Sequence, residues 1–172
     1  MALFFPTLYR RRITDVTADD LQRLGVTGLL LDVDNTLTTH DNPDMAPEVL
    51  QWLQQRQAEG LRPVVVSNNK PERVAPFAGL LGLPFQANAA KPLPRGYRAA
   101  AAHIGLPPER CAVIGDQIFT DILGANLAKM PSVLLEPIHP ETEQKFIVFK
   151  RRLERLLLRG RQARRRKEQY GE

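Results

Sequence analysis

Two aspartates, Asp32 and Asp34, directly follow an apolar run in which residues 28–31 read Gly-Leu-Leu-Leu. An ionised carboxylate at the end of a buried strand is costly unless a cation neutralises its charge. The pair therefore predicts a metal ion or a basic partner nearby. Carboxylate oxygens are hard ligands, which suit a divalent cation such as Mg²⁺.

Further polar residues occur wherever another apolar run ends or a helix is about to begin. In an open parallel sheet, ligands bind at the carboxyl ends of the strands, so we expect these residues to meet at one edge. Together they would supply acids for Mg²⁺ and a hydroxyl and an ammonium for a phosphate. The residues are Ser67-Asn68-Asn69-Lys70, Lys91 and Gly115-Asp116 with Asp121.

The elements that must position these residues alternate along the chain. Short apolar runs predict strands at 28–33, 63–66, 85–87, 111–114 and 132–135, and helical patterns cover 17–25, 47–60, 71–81, 97–104 and 118–128. Such alternation favours a parallel sheet with right-handed crossovers. We therefore predict an α/β fold, a three-layer α/β/α sandwich around a mostly parallel, Rossmann-like sheet.

The motifs in this order resemble those of the haloacid-dehalogenase-like (HAD) phosphatases. Asp32-Val-Asp34-Asn-Thr36 is similar to the DxDxT motif of that superfamily, and Ser67, Lys91 and Gly115-Asp116-x-x-x-x-Asp121 match its second, third and fourth motifs. Each piece is weak alone, since a turn, a loop or a helix cap would also explain it. Four pieces in the correct order make a strong match.

The resemblance implies a role for each matching residue. Asp32 would be the nucleophile that forms an aspartyl-phosphate, and Asp34 the general acid and base, with its backbone carbonyl on the metal. Ser67 and Lys91 would bind the phosphoryl group, with Lys91 also counted as catalytic. Asp116 would join Asp32 and Asp34 in binding Mg²⁺. Asn68 is a further candidate for substrate binding, and Thr36 and Asp121 are candidates for supporting roles.

The spacing of the motifs excludes an inserted cap domain. Only 33 positions separate Asp34 from Ser67 and 24 separate Ser67 from Lys91, whereas a domain needs about 50 residues. We therefore expect an open site, as in the capless class III members. With Ser-Asn-Asn, Ala-Lys-Pro and Gly-Asp-Gln-x-x-Thr-Asp, the chain resembles the YqeG family. Some relatives of that family convert phosphatidylglycerophosphate to phosphatidylglycerol, which implies a phospholipid head group as substrate.

The basic residues are concentrated at the C-terminal end of the chain. The formal charge is +8 for residues 145–172 and −3 for residues 1–144. Phe146, Phe149, Leu153 and Leu156 recur at helical spacing among Lys and Arg, and Leu3 to Tyr9 precede Arg10-Arg-Arg12. Such segments favour an anionic membrane surface. A helix packed on the domain with a solvated tail is the alternative explanation.

We therefore expect three regions: an N-terminal segment with a short helix (1–27), a HAD-like core (28–140) and a basic amphipathic helix with a tail (141–172). No apolar run is long enough to span a membrane, so the expected location is cytoplasmic, with peripheral attachment at the inner face of the membrane. Two alternative functions stay open. One is a HAD phosphatase for a soluble phosphomonoester, and the other is nucleic-acid or ribosome binding through the basic tail.

Overall fold

The structure, a computed structural model, describes residues 3–39 and 45–138. Its centre is a parallel sheet of six strands in the order β1-β6-β5-β2-β3-β4. The strands are β1 (Leu8–Tyr9), β2 (Gly28–Leu31), β3 (Arg62–Val66), β4 (Phe85–Gln86), β5 (Cys111–Gly115) and β6 (Ser132–Leu134). The predicted α/β class with a mostly parallel sheet is confirmed.

The sheet is covered by helices on both faces. Successive residues of a strand point to opposite faces, and in β2 Leu29 and Leu31 enter one core while Leu30 enters the other. The first core contains residues of three helices and the second contains residues of two. The helices are α1 (Ala18–Arg23), α2 (Pro47–Ala58), α3 (Pro71–Leu80), α4 (Pro94–His103) and α5 (Leu123–Ala128).

Most boundaries of the helices agree with the sequence signals. Thr17 and Asp20 cap α1 reciprocally, as the predicted capping box requires, because each side chain accepts from the backbone N–H of the other. The α4 helix begins at Pro94, three residues before the predicted start, since proline is compatible with a first helical turn. The predicted helix over 118–128 is a π-helical segment, Ile118–Ile122, followed by α5.

An N-terminal edge strand was not predicted. Strand β1 pairs with β6, and next to it Thr7 and Ser132 exchange hydrogen bonds in which each backbone N–H donates to the other hydroxyl. Arg10 then binds the carboxylate of Asp20 in α1, with Nε 3.0 Å from Oδ2. Two strand residues are too few to show a periodic pattern. Part of the expected 1–27 segment is therefore built into the sheet of the core.

Where the structure describes them, the intervals between the motifs consist of elements of the sandwich. The described residues between Asp34 and Ser67 contain α2 and β3, and those between Ser67 and Lys91 contain α3 and β4. Among the residues that the structure describes, neither interval contains a cap domain. The expected basic helix and tail at 141–172 lie outside the described residues. In the part of the chain that is described, no helix combines the length and hydropathy needed to cross a bilayer.

Candidate active site

The central strand β2 delivers Asp32 to the carboxyl edge of the sheet. The strand lies between β5 and β3, and the Asp32 backbone N–H extends the ladder by donating to the Ile114 carbonyl, 3.0 Å away. After Asp32 the chain turns, with Asn35 at a positive φ of 61°. This turn brings Thr36 Oγ1 to 3.5 Å from Asp32 Oδ2. Asp32 and Thr36 are both buried, as is the Leu37 side chain that follows.

Lys91 joins two of the predicted acidic residues. Its ammonium donates to the carboxylate of Asp32 and to Asp121 Oδ1, the latter at 2.7 Å. The second oxygen of Asp121 accepts from the Gln117 backbone N–H at 3.1 Å. Both oxygens of Asp121 are therefore bound by protein donors. This geometry suits the supporting role predicted for Asp121.

Burial and charge shift the pKa values of this pair in the same direction for different reasons. Burial raises the pKa of Asp32 to about 7, although the neighbouring Lys91 ammonium opposes the shift. For Lys91, burial disfavours the charged form, but the carboxylates of Asp121 and Asp32 outweigh it and raise the pKa well above its usual value. The lysine is therefore a fixed positive charge at neutral pH.

Three buried carboxylates form a candidate metal site. Asp32, Asp116 and Asp121 each offer an oxygen, and these three oxygens lie within 4.8 Å of one another. Together with Lys91, the four side chains carry a formal charge of −2. Burying that charge is unfavourable without a further cation, and a cluster of hard oxygen ligands fits Mg²⁺. The donor set thus agrees with the predicted metal, and Asp121, which was predicted to have a supporting role, belongs to the same cluster.

Gly115 makes room for Asp121, and Gly124 makes room for Tyr97, which is bonded to the residue before Asp121. A Cβ on Gly115 would lie 2.4 Å from the Asp121 carboxylate, so only glycine permits this close approach. In the π-helical segment that contains Asp121, the carbonyl of the adjacent Thr120 accepts a hydrogen bond from the hydroxyl of the buried Tyr97 at 2.8 Å. A Cβ on Gly124 would lie 2.2 Å from the Tyr97 ring. The position of Asp121 therefore depends on packing between α4 and α5.

The segment after β3 supplies the opposite side of the site. Strand register places Leu31 beside Val65, so Asp32 and Ser67 emerge at the same edge. Ser67 is buried, and its Oγ accepts from the Asn69 backbone N–H at 3.1 Å. The Asn68 amide binds the Lys91 backbone at both groups, accepting from N at 2.6 Å and donating to O at 3.3 Å. Asn68, predicted to bind substrate, here holds the loop that carries Lys91.

Asp34 lies further out than Asp32, and its carboxylate accepts hydrogen bonds from two residues that follow β3. Asn69 Nδ2 donates to Asp34 Oδ2 at 2.9 Å, and Arg73 Nη2 donates to Asp34 Oδ1 at 3.2 Å. The sequence predicted Asn69 at this sheet edge without a specific role, and it did not predict Arg73. The available signal was weak: Arg73 is a basic residue in the first turn of α3, six positions after Ser67.

Comparison with known proteins agrees with the fold and with the motifs. The haloacid dehalogenase-like hydrolase family matches residues 4–129. A relative named Probable phosphatase YqeG, from Bacillus subtilis, is 35% identical over 156 residues, which is 90% of each chain. Phosphatidylglycerophosphate phosphatase 1, chloroplastic, from Chlamydomonas reinhardtii, is 30% identical over 89% of this chain and 60% of its own length.

Solved structures share the fold at lower identity. A HAD phosphatase from Thermococcus onnurineus has a TM-score of 0.56 at 16% identity, covering 70% of this chain and 90% of its own. A 4-nitrophenylphosphatase from Thermotoga maritima has a TM-score of 0.54 at 13% identity, covering 69% and 89%. Because the family match spans most of the chain and the motifs lie at one sheet edge, this protein belongs to the haloacid dehalogenase-like hydrolase family and is a phosphatase related to YqeG.

Proposed function

We propose that the protein is a Mg²⁺-dependent phosphomonoester hydrolase that acts through an aspartyl-phosphate on Asp32, with phosphatidylglycerophosphate as its substrate. The observation that carries the chemistry is the buried contact of Asp32 with Lys91, beside Asp116 and Asp121. The three carboxylates of this cluster, one of which is the nucleophile, need cations before they can accept an anionic substrate. Lys91 supplies one of these positive charges.

Asp32 would attack the phosphorus of the monoester. A bond forms between an Asp32 oxygen and phosphorus, the bond from phosphorus to the alcohol oxygen breaks, and Asp34 gives a proton to that oxygen. Water then attacks the phosphorus of the acyl phosphate and transfers a proton to Asp34, while the bond between phosphorus and the Asp32 oxygen breaks; both carboxyl groups are restored and inorganic phosphate is released. Lys91 and the Ser67 hydroxyl would stabilise the charge on the phosphoryl oxygens.

The residues present fit a bound Mg²⁺. The Asp32 and Asp116 carboxylates, with the backbone carbonyl of Asp34, would hold the ion, while Lys91 occupies one oxygen of Asp121. When bound, Mg²⁺ offsets the repulsion between the ionised nucleophile and the phosphate and polarises the phosphoryl group. The raised pKa of Asp32 fits this arrangement, because an added cation favours the ionised form that attacks phosphorus.

The choice of a lipid substrate rests on three supports. The site has no cap in the described intervals, so a phosphate at the surface of a bilayer would not need to be enclosed. One relative carries the name Phosphatidylglycerophosphate phosphatase 1. The sequence of residues 145–172 has a formal charge of +8, which would attract anionic head groups at about 1 kcal/mol per basic residue near the surface.

The decisive experiment compares phosphate release from phosphatidylglycerophosphate in anionic vesicles with release from soluble phosphomonoesters, with Mg²⁺ and with EDTA. We expect Mg²⁺-dependent release that favours the vesicles and is lost in Asp32→Asn. Asp19→Asn, which removes an exposed carboxylate on α1, is the matched control and should retain activity. Turnover of soluble esters alone would keep the chemistry and refute the lipid assignment.

The full chain should also be tested for RNA binding at several salt concentrations. Steep salt-dependent binding without phosphatase activity on any ester would refute the proposed function and favour the nucleic-acid alternative.

A further inference from the structure

Arg73 lies at the outer side of the catalytic carboxylates. Its side chain is 46% exposed, whereas the side chains of Asp34, Asp32 and Lys91 are 24%, 10% and 5% exposed. Exposure therefore increases from the proposed nucleophile, through Asp34, to Arg73. The Arg73 guanidinium contacts the more exposed of the two aspartates, Asp34, with Nη2 3.2 Å from Asp34 Oδ1.

This location corresponds to the leaving-group side of the site. The argument rests on the proposed function, in which Asp32 accepts the phosphoryl group and Asp34 protonates the departing alcohol oxygen. The alcohol part of the substrate must then extend past Asp34 toward solvent. Arg73 is in contact with Asp34 and is accessible from solvent, so its cation would lie alongside that part of the substrate.

We propose that Arg73 is a specificity-determining residue that selects phosphomonoesters whose alcohol part carries a second negative charge. A guanidinium stays charged at all relevant pH values, and its planar N–H groups match the oxygens of a phosphate or carboxylate. A phosphodiester close to the monoester would meet this cation, whereas an uncharged alcohol part would gain nothing from it. A glycerol phosphate head group that is joined to the rest of the molecule by a phosphodiester carries such a second charge.

Asn69 provides an internal comparison that separates selection from positioning. The Asn69 amide and the Arg73 guanidinium each hold one oxygen of Asp34, but only Arg73 is charged. If both residues merely orient Asp34, their loss should affect every substrate by a similar factor. If Arg73 also binds the second charge, its loss should lower kcat/KM more for substrates with an anionic alcohol part than for substrates with an uncharged one.

The test uses two water-soluble probes, so that membrane binding plays no part. One is glycerophosphoglycerol phosphate, the deacylated head group with a monoester and a diester, and the other is glycerol 1-phosphate. For Arg73→Gln we expect kcat/KM on the first probe to fall by a further 10- to 100-fold relative to the second, as for loss of a charge-assisted hydrogen bond. The extra loss should lie mainly in KM and should shrink at high salt.

The controls are chosen from the same chain. Asn69→Ala should lower kcat/KM by the same factor on both probes. Arg73→Lys should recover part of the discrimination between the probes. Arg23→Gln, at an exposed site on α1, should leave kcat/KM unchanged on both probes. Equal losses on both probes in Arg73→Gln would overturn the specificity role. If the folded wild-type protein hydrolysed neither probe nor any other phosphomonoester, the proposed function itself would fail, and the inference with it.

Discussion

The Lys91 ammonium binds Asp121 at 2.7 Å while it also donates to Asp32, so one buried cation connects the proposed nucleophile, 59 positions before it, with a carboxylate 30 positions after it. Neither contact is local in sequence. The loop of Lys91 is in turn fixed by the Asn68 amide, which binds the Lys91 backbone on both sides of the residue. The charge at the centre of the site is therefore positioned by three separate segments.

Removing this cation should damage both activity and the metal-free fold. In Lys91→Met the carboxylates of Asp32 and Asp121 stay buried without their partner, which typically costs about 3–5 kcal/mol. We expect a lower free energy of urea unfolding in EDTA and loss of phosphate release. Lys129→Met, at an exposed lysine, is the control. Unchanged stability of Lys91→Met would contradict the contacts described for this ion pair.

A methyl group on Gly115 should displace Asp121. Its Cβ would lie 2.4 Å from the carboxylate, which also accepts from the Gln117 backbone, so Gly115→Ala should weaken the hold on Lys91 and reduce kcat by about 10²-fold or more. The matched change is Gly79→Ala in α3, where a Cβ meets nothing within 4 Å. That variant should retain full activity and gain up to about 1 kcal/mol in stability. Equal activity of the two variants would refute the prediction.

Asp20 should contribute stability that is lost in acid. Burial opposes its ionisation, but hydrogen bonds from Arg10 and Thr17 outweigh burial and lower its pKa below the usual 3.8. Because the folded value lies below the unfolded one, the contribution is complete above about pH 4 and disappears as pH falls through the lowered pKa. Asp20→Asn should therefore lose stability at pH 7 and show a flatter acid dependence.

Urea unfolding between pH 2.5 and 7 measures this effect. Asp19→Asn, which removes the exposed neighbour of Asp20, should follow the wild-type curve closely. A wild-type and an Asp20→Asn curve that stay parallel down to the lowest pH would disprove a lowered pKa.

The N-terminal segment should behave as part of the domain. Asn126 Nδ2 donates to the carbonyls of Leu3 and Phe5 at 2.7 and 3.1 Å, and Phe4 packs edge to face on Phe119 with ring centroids 5.6 Å apart. Asn126→Ala should destabilise the protein by about 1–3 kcal/mol and expose the N-terminal residues to limited proteolysis. Asn88→Gly, at a positive-φ turn, is not expected to affect cleavage there. Unchanged proteolysis of Asn126→Ala would show that these bonds do not hold the segment.

Local signals in the sequence account for much of the fold and for the choice of the candidate site residues. Runs such as Leu29–Leu31 and Val64–Val66 are buried strands because their side chains face cores on both sides of the sheet. The Thr17 capping box starts α1 because its bonds form within four residues. Motif order then identified Asp32, Ser67, Lys91, Asp116 and Asp121 as residues of one sheet edge, since parallel strands end together.

Other features depended on contacts between distant parts of the chain. Strand β1 has two residues and is recognisable only through its pairing with β6. The π-helical segment carries the same residue types as an α-helix, and its conformation accompanies the packing of Tyr97 and the approach of Asp121 to Gly115. Arg73 reaches Asp34 across 39 positions. The sequence by itself determined which side chains are proposed to carry the chemistry, because their types and order are local. The tertiary structure decided their partners, because burial and charge pairing exist only between packed segments.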